Sequence, residues 1–327
     1  MKYVLRRLGF FVVTLWACLT INFVLPRLMP GNPAIAMMAR FRGRVNGSVL
    51  QALEIAFGVN TKQSEISQYF TYLRNTFTGH FGVSLTFFPE TVVQVVRSAI
   101  LWTLGLVGLT TVLAFLLGTL IGMISGWRRG SKIDSILPPI FVITSAFPYF
   151  FVALLSLLLF SITWHWLPSG FGYSNTDTIG WTWSYISDVL QHAVLPAFTI
   201  LVTSIGGWIL TMRNNMISTL AEDYVRMAQG KGLSPVRVML DYAGRNAILP
   251  NLTGFAMSLG FVVSGAILVE YVFSYPGLGY MLLDGVQNED YALMQTLFLL
   301  ITVAVLLAVL AVDFVTMALD PRTRSQA

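Results

Sequence analysis

Six long stretches of this chain contain no charged side chain, and their length constrains the fold more than any other feature. Each is close to, or longer than, the roughly 20 residues that an α-helix needs to cross the apolar core of a bilayer. They are residues 8–25, 98–127, 135–164, 193–212, 246–269 and 291–312. With 55% hydrophobic and only 11% charged residues, the composition excludes a soluble globular domain. The sequence therefore predicts an all-α integral membrane protein with six transmembrane helices.

The positions of lysine and arginine predict the side of the membrane on which each connecting segment lies. With the amino terminus inside, 13 of the 20 basic residues fall in cytoplasmic segments, and the other seven fall between Arg27 and Arg97. The two later outer segments, 165–192 and 270–290, contain none. Because short cytoplasmic loops carry an excess of Lys and Arg, this distribution predicts that both termini are cytoplasmic.

The amino terminus fits two kinds of membrane-targeting segment. Lys2, Arg6 and Arg7 precede an apolar run, as in cleaved signal peptides and in signal anchors. The run is longer than a usual signal core, and the following PRLMPGNPA lacks a small-x-small cleavage site, which favours an uncleaved anchor. The single cysteine, Cys18, lies inside this run, excludes a disulfide framework within the chain and is interpreted as a packing residue.

The chain is predicted to form one membrane domain with a sizeable excursion on each side. Residues 1–27 form an amino-terminal transmembrane helix, and residues 98–327 form a five-helix core. Between them, residues 28–97 combine Pro/Gly turns with the helical pattern QSEISQYFTYLRNTF, which predicts a folded cap outside the membrane. The cytoplasmic excursion lies at 214–250 within the core.

The cytoplasmic excursion contains AEDYVRMAQGKGLSPVRV, residues 221–238, a polar stretch in an otherwise apolar chain. Thr219 stands three residues before Glu222, which matches a capping box and predicts a helix that begins near residue 220. Apolar residues then recur at helical spacing and define one predicted face: Leu220, Tyr224, Met227 and Ala228.

Glycine and proline predict where this helix ends and the next begins. Gly230 stands where a left-handed residue commonly ends a helix, and Ser234 followed by Pro235 predicts a second helix from about 235 to Pro250. Pattern alone leaves two interpretations open. The pair is either an amphipathic hairpin at the lipid headgroups or an element that binds a groove of a partner protein.

The amino-acid sequence of this loop resembles that of a known family. DYVRMAQGKGLSPVRVMLDYAGRNAILPNLT is similar to the cytoplasmic loop of ABC importer permeases in the dipeptide, oligopeptide, nickel and glutathione branch. LPRLMPGNPA, HAVLPAFTI, GAILVEYVFSYPGLGYMLLDGVQNEDY and LAVDFVTMALDPRTR resemble other segments of that family in the same order. The sequence departs from the family pattern at Asn32 and His80, where Asp is frequent, and at Tyr242, where His is frequent.

The resemblance implies a type I ABC importer permease fold in the bacterial inner membrane, with the loop serving as a coupling helix in a groove of an ATPase subunit. The residues it assigns to coupling are Glu222, Asp223, Tyr224, Arg226, Ala228, Gly230, Lys231, Gly232 and Leu233. The implied partners are a second homologous permease subunit, two ATPase subunits and an extracytoplasmic substrate-binding protein, which the cap is expected to contact unless it shields the outer mouth. No nucleic acid is implied.

Catalysis is not expected of this chain. It lacks the G-x-x-x-x-G-K-[ST] pattern that cradles nucleotide phosphates, since GWRRGSK at 126–132 has the wrong spacing. ATP and Mg²⁺ are therefore expected on the partner ATPases, and no cofactor on this chain. The histidines at 80, 165 and 192 have no metal-ligand spacing.

The transported solute stays open. Di- and oligopeptides are the leading prediction, with oligosaccharides, nickel complexes and glutathione as alternatives. An ion-coupled secondary transporter or an intramembrane hydrolase would need more ionisable groups inside the bilayer than Asp313, for which a structural role is favoured. Pro148 and the pair Gly206 and Gly207 mark either helix breaks along a pathway or, for the glycines, close helix packing.

Overall fold

The computed structural model describes residues 2–28, 64–174, 179–264 and 266–319, without the side chains of 2–5, 26 and 313–319. Most of these residues are helical, and one isolated bridge joins Val83 and Thr91. The helices are α1 (Lys2–Leu28), α2 (Glu65–Thr78), α3 (Val92–Trp127), α4 (Lys132–Ala146), α5 (Tyr149–Thr163), α6 (Trp183–Leu220), α7 (Asp223–Gly230), α8 (235–247), α9 (Leu249–Phe261), α10 (Ile267–Val272), α11 (Leu278–Gln287) and α12 (Tyr291–Leu319).

Five helical stretches in the described part of the chain are long and apolar enough to cross a membrane. They are Arg6–Leu25, Val92–Trp127, Trp183–Leu220, Leu249–Val272 and Tyr291–Val312. The third predicted span is divided into α4 and α5, which meet at an angle of 97° and raise the number to six if they count as one span. The predicted all-α membrane fold is therefore confirmed, with one span broken at Phe147 and Pro148.

The chain divides into two compact units. The first comprises the described residues of Met1–Thr103, Val263–Ile267 and Pro276–Ala327. Its core is an apolar cluster between the start of α3, α11 and α12: Val92, Val95, Ala99, Leu278, Leu282, Leu293 and Leu297. Asp290 accepts hydrogen bonds from the Leu293 amide (3.1 Å) and the Thr86 amide (2.9 Å), and from the Ser84 hydroxyl, so the segment before α3 is fixed to the start of α12.

The second unit, Leu104–Val262 with Leu268–Tyr275, is organised around α6. Gly118, Gly122 and Gly126 of α3 lie so close to α6 that a Cβ on any of them would stand 2.5–2.6 Å from an α6 atom. On another side, a Cβ on Gly206 would meet Ser145 and the Phe141 carbonyl of α4. Because α6 is continuous through Gly206, close packing and not a helix break explains this glycine.

Two sequence predictions concern residues that lie partly or wholly outside the described part of the chain. The cap is described only from residue 64 onward, and residues 29–63 lie outside the described residues. Asp313 falls within the helix Tyr291–Leu319, but its side chain lies outside the described residues. The predicted division into an amino-terminal helix, a cap and a five-helix core stays a prediction.

Candidate functional site

The helix α7 begins later than the sequence pattern predicts. Helix α6 continues to Leu220, and the Thr219 hydroxyl donates back to the Asn215 carbonyl (2.8 Å) inside it. Glu222 is instead the extended N-cap residue of α7, and its side chain makes no capping hydrogen bond to a described residue. The predicted capping box is therefore wrong. The Thr219–Glu222 spacing matches the motif, but Thr219 belongs to the preceding helix and cannot cap α7.

The carboxyl end of α7 is a Schellman turn around Gly232. Gly232 has the left-handed φ of +76°, its amide donates to the Gln229 carbonyl (2.9 Å), and the Leu233 amide donates to the Ala228 carbonyl (3.4 Å). Gly230, predicted to be the left-handed residue, is instead the last residue of the helix. This prediction is wrong by two positions, and the residue that needs glycine for its backbone is Gly232.

The inward face of α7 differs from the predicted one. Val225 and Ala228 are fully or almost fully buried, at 0% and 3% exposure. They belong to one apolar cluster with α6 and α8, whose other buried members are Met212, Met216, Val238, Ala243 and Ala247. Spacing three apart on a helix places Val225 and Ala228 side by side. This cluster, which we call the loop core, fixes α7 against α6 and α8.

The predicted apolar face is accordingly split. Leu220 belongs to α6, and Ala228 is buried in the loop core. Met227, on the opposite side of the helix, is 61% exposed, and Tyr224, at the edge of the buried face, is 37% exposed. Two apolar side chains therefore remain available to a partner, whereas Ala228, one of the predicted coupling residues, is not accessible.

The outward side of α7 combines these apolar groups with charge. We call this the loop surface: Asp223, Tyr224, Arg226, Met227 and Lys231. Asp223 and Arg226 approach to 4.0 Å with side chains 99% and 67% exposed, so their attraction is weakened by water. The Tyr224 hydroxyl accepts a hydrogen bond of 2.7 Å from the Asn246 side chain, which orients the ring from α8. Glu222, Gly230 and Gly232 are exposed beside this surface, and Leu233 is partly buried.

The second helix, α8, is confirmed in position but not in regularity. Ser234 and Pro235 are its N-cap and first residue, as predicted, and Val238–Gly244 forms a π-helical segment within it. A Cβ on Gly244 would lie 2.8 Å from the Met239 carbonyl oxygen and 3.1 Å from Met123 of α3. Single π turns inside α-helices are frequent at functional sites.

An ion pair beside the loop was missed in the sequence. The guanidinium of Arg213 in α6 donates two hydrogen bonds to the carboxylate of Asp134 in α4, one of them 3.0 Å long. Their side chains are 24% and 6% exposed, and the Asp134 carboxylate also accepts the Gly130 amide (2.9 Å). Ser131 is the N-cap of α4 and accepts from the Asp134 amide, so the Ser-x-x-Asp spacing at 131–134 was the available signal.

The exposed side of α7 combines apolar and charged side chains. Among the residues that the structure describes, no group of three or more histidines, cysteines or carboxylates could hold a metal ion. The loop surface offers apolar contact from Tyr224 and Met227 between charged neighbours. The loop core packs α7 against α8 and against α6, which belongs to a candidate membrane span.

Comparison with known proteins places this arrangement in a family. Residues 118–325 match the family described as "Binding-protein-dependent transport system inner membrane component". The chain is 31% identical to the di/tripeptide transport system permease protein DppB of Pseudomonas aeruginosa, over 100% of this chain and 99% of that one. It is 28% identical to the oligopeptide transport system permease protein AppB of Bacillus subtilis, over 98% of each.

A third relative has a different named solute. The glutathione transport system permease protein GsiC of Escherichia coli is 30% identical over 99% of both chains. The matches extend from end to end, so they include the loop surface, α7 and every described helix. The chain is therefore a membrane-spanning translocation component and not an enzyme, and it belongs to the family of binding-protein-dependent transport system inner membrane components, the permeases of ABC importers.

Proposed function

We propose that this chain is the permease subunit of an ATP-driven importer for di- and oligopeptides, and that residues 222–233 couple it to an ATPase. The observation that carries the coupling role is the two-sided construction of α7. Val225 and Ala228 are buried in the loop core, while Tyr224 and Met227 remain exposed between charges. A helix fixed on one side and open on the other is suited to transmit movement of a bound partner.

The proposed mechanism is mechanical. Closure of two ATPase subunits around ATP and Mg²⁺ pulls on α7, and the loop core passes that movement to α6 and α8. The Arg213–Asp134 pair carries it to α4, because α4 and α6 are joined there by two hydrogen bonds. The bundle then rocks between inward-facing and outward-facing states, with a second, homologous permease subunit forming the other half of the pathway.

The proposed topology follows from the charge distribution, with both termini and α7 in the cytoplasm and the cap outside, where a substrate-binding protein delivers the solute. Labelling tests it. In a Cys18→Ala background, a Lys231→Cys variant should react with a membrane-impermeant maleimide in inside-out vesicles only, and Thr71→Cys in right-side-out vesicles only. Labelling of position 231 from the outside would refute the whole arrangement.

The peptide assignment rests on the solutes named for three end-to-end relatives, which are di/tripeptides, oligopeptides and glutathione. All three solutes are short chains joined by amide bonds. The test is uptake in proteoliposomes that contain the assembled importer and its binding protein, with labelled dipeptide, glutathione, oligosaccharide and nickel chelate in parallel. We expect ATP-dependent dipeptide uptake. Exclusive uptake of the sugar or the nickel chelate would overturn the substrate class and leave the importer class standing.

Contact with the ATPase is tested separately by cross-linking. A Met227→Cys variant should form a cross-link to an ATPase subunit through a short bifunctional reagent. Thr71→Cys, at an exposed position of α2, is the matched control and should form none. If Met227→Cys formed no cross-link while the complex copurified intact, residues 222–233 would not be the contact.

A further inference from the structure

The outer helix α2 has three distinct faces, and one of them is apolar and exposed. At 100° per residue, the polar side chains Ser67, Thr71, Asn75 and Thr78 fall in one sector, and Gln68, Tyr69, Tyr72 and Thr76 fall in a second. The third sector contains Ile66, Phe70, Leu73 and Phe77. Ile66, Phe70 and Phe77 are 72%, 64% and 75% exposed, so a continuous apolar stripe runs along the length of the helix.

The second sector fixes α2 against the outer end of α1. The Tyr69 hydroxyl lies 2.8 Å from the Thr20 hydroxyl, and the Asn22 side chain donates to the Tyr72 hydroxyl (3.2 Å). The ring of Phe23 contacts both tyrosine rings, with centroid distances of 5.2 and 5.5 Å. Thr20, Asn22 and Phe23 all lie inside the membrane-crossing stretch Arg6–Leu25. The helix α2 therefore lies at a depth that overlaps the end of a span.

Both ends of α2 are held near the outer end of the first span. Near its amino end, Gln68 accepts a hydrogen bond of 3.2 Å from Arg27, just past the end of the first span. At its carboxyl end, Gly79 closes a Schellman turn with φ +73°, and the chain continues to Ser84, which bonds Asp290 one residue before α12. Since α12 begins a span at Tyr291, both ends of α2 lie at membrane boundaries.

A helix of 14 residues is about 21 Å long, and with both ends at the same boundary it lies along the membrane surface. An apolar stripe, a polar face and low net hydrophobicity are the features of helices that lie in the interface plane. The neighbouring surface of α1 is also apolar and exposed, with Ile21, Val24 and Leu25 between 41% and 60%. The stripe thus continues a lipid-facing surface.

We propose that α2 is an interfacial helix whose stripe of Ile66, Phe70, Leu73 and Phe77 inserts between lipid acyl chains of the outer leaflet. The polar sector then faces water or the headgroups, and the tyrosine sector packs on α1. This arrangement fixes the described end of the cap against the bilayer. Any surface of the cap that meets a partner is therefore presented at a constant height above the membrane.

Spin-label accessibility tests the proposal with matched positions one residue apart. Ile66→Cys, Phe70→Cys and Phe77→Cys are compared with Ser67→Cys, Thr71→Cys and Thr78→Cys, each in a Cys18→Ala background. The full chain is co-assembled with its partner subunits in lipid nanodiscs. Nitroxides on the stripe should collide more with oxygen, which concentrates in lipid, than with a water-soluble nickel chelate. Nitroxides on the polar sector should show the reverse order.

Two outcomes overturn the proposal. Equal access of the nickel chelate to the Phe70→Cys and Thr71→Cys labels would mean that the stripe faces water. Access of neither reagent to the stripe, or loss of oxygen access when the binding protein is added, would mean that protein covers it. The three stripe positions are independent measurements, so a single variant that fails to assemble does not remove the test.

Discussion

Replacing Gly232 by alanine should open the turn that ends α7, and replacing Gly230 should not. Gly232 has a φ of +76°, a conformation that costs an L-residue roughly 1–2 kcal/mol. Gly230 is in the helix, where alanine is favoured over glycine by about 0.5–1 kcal/mol. A Cβ at either glycine meets no described atom within 4 Å, so the two substitutions differ in backbone strain and not in crowding.

The direct measurement is hydrogen exchange of the amides that close the turn. The Leu233 amide is bonded to the Ala228 carbonyl and the Gly232 amide to the Gln229 carbonyl. A loss of 1–2 kcal/mol should raise the population of opened turn, and hence the exchange rate of these amides, by a factor of about 5–30. Gly230→Ala should leave the rate unchanged or lower it.

The functional consequence is measured as solute transported per ATP hydrolysed in proteoliposomes. We expect Gly232→Ala to lower this ratio while the ATPase subunits still copurify, and Gly230→Ala to preserve it. Gly232→Asn is the discriminating control, because asparagine tolerates the left-handed conformation better than alanine although it is larger. If Gly232→Asn lowered the ratio of solute to ATP more than Gly232→Ala, the loss would come from steric exclusion and not from backbone geometry. Unchanged exchange in Gly232→Ala would refute the reasoning outright.

Two further predictions separate stability from coupling. Asp134→Asn should destabilise the bundle by about 3–5 kcal/mol, because it leaves the Arg213 guanidinium partly buried without its counter-charge, and thermal unfolding in detergent measures this. The matched change, Asp241→Asn, removes a pair with Arg237 that is 3.7 Å long and about two-thirds exposed, so it should lower stability by at most about 1 kcal/mol. Equal destabilisation by Asp134→Asn and Asp241→Asn would contradict a stabilising role for the Arg213–Asp134 pair. Val225→Ala should lower thermal stability by about 1.5 kcal/mol, the transfer term for two buried methyl groups. Met227→Ala should leave stability unchanged but weaken copurification of the ATPase subunits. If Met227→Ala lowered stability and Val225→Ala weakened copurification, the buried and the partner-facing sides of α7 would be the reverse of those described.

The membrane fold follows from the sequence because a bilayer imposes a simple rule. Each crossing segment needs about 20 residues without charge, and the predicted runs correspond to the five candidate spans and the bent pair. The family was also predictable, since residues 223–253 resemble it and the end-to-end matches then showed it. Helix α8 was found from Ser234 and Pro235, whose effect on the backbone is local.

Features that depend on distant contacts were not predictable. The first residue of α7 depends on how far α6 extends, and that helix continues to Leu220 while its carboxyl-terminal half packs against glycines of α3. The left-handed residue that ends α7 is likewise Gly232 and not Gly230. Asp134 pairs with Arg213, 79 positions away; the Ser-x-x-Asp spacing at 131–134 indicates the local cap but not this distant partner.

Which side of a helix is buried was likewise decided by tertiary structure. The sequence shows Tyr224, Val225, Met227 and Ala228 as apolar or aromatic residues around one short helix. Only the position of Met212, Met216 and Val238 determines that Val225 and Ala228 turn inward. The physical reason is that helical periodicity states which residues share a face, whereas the neighbour that covers the face comes from elsewhere in the chain.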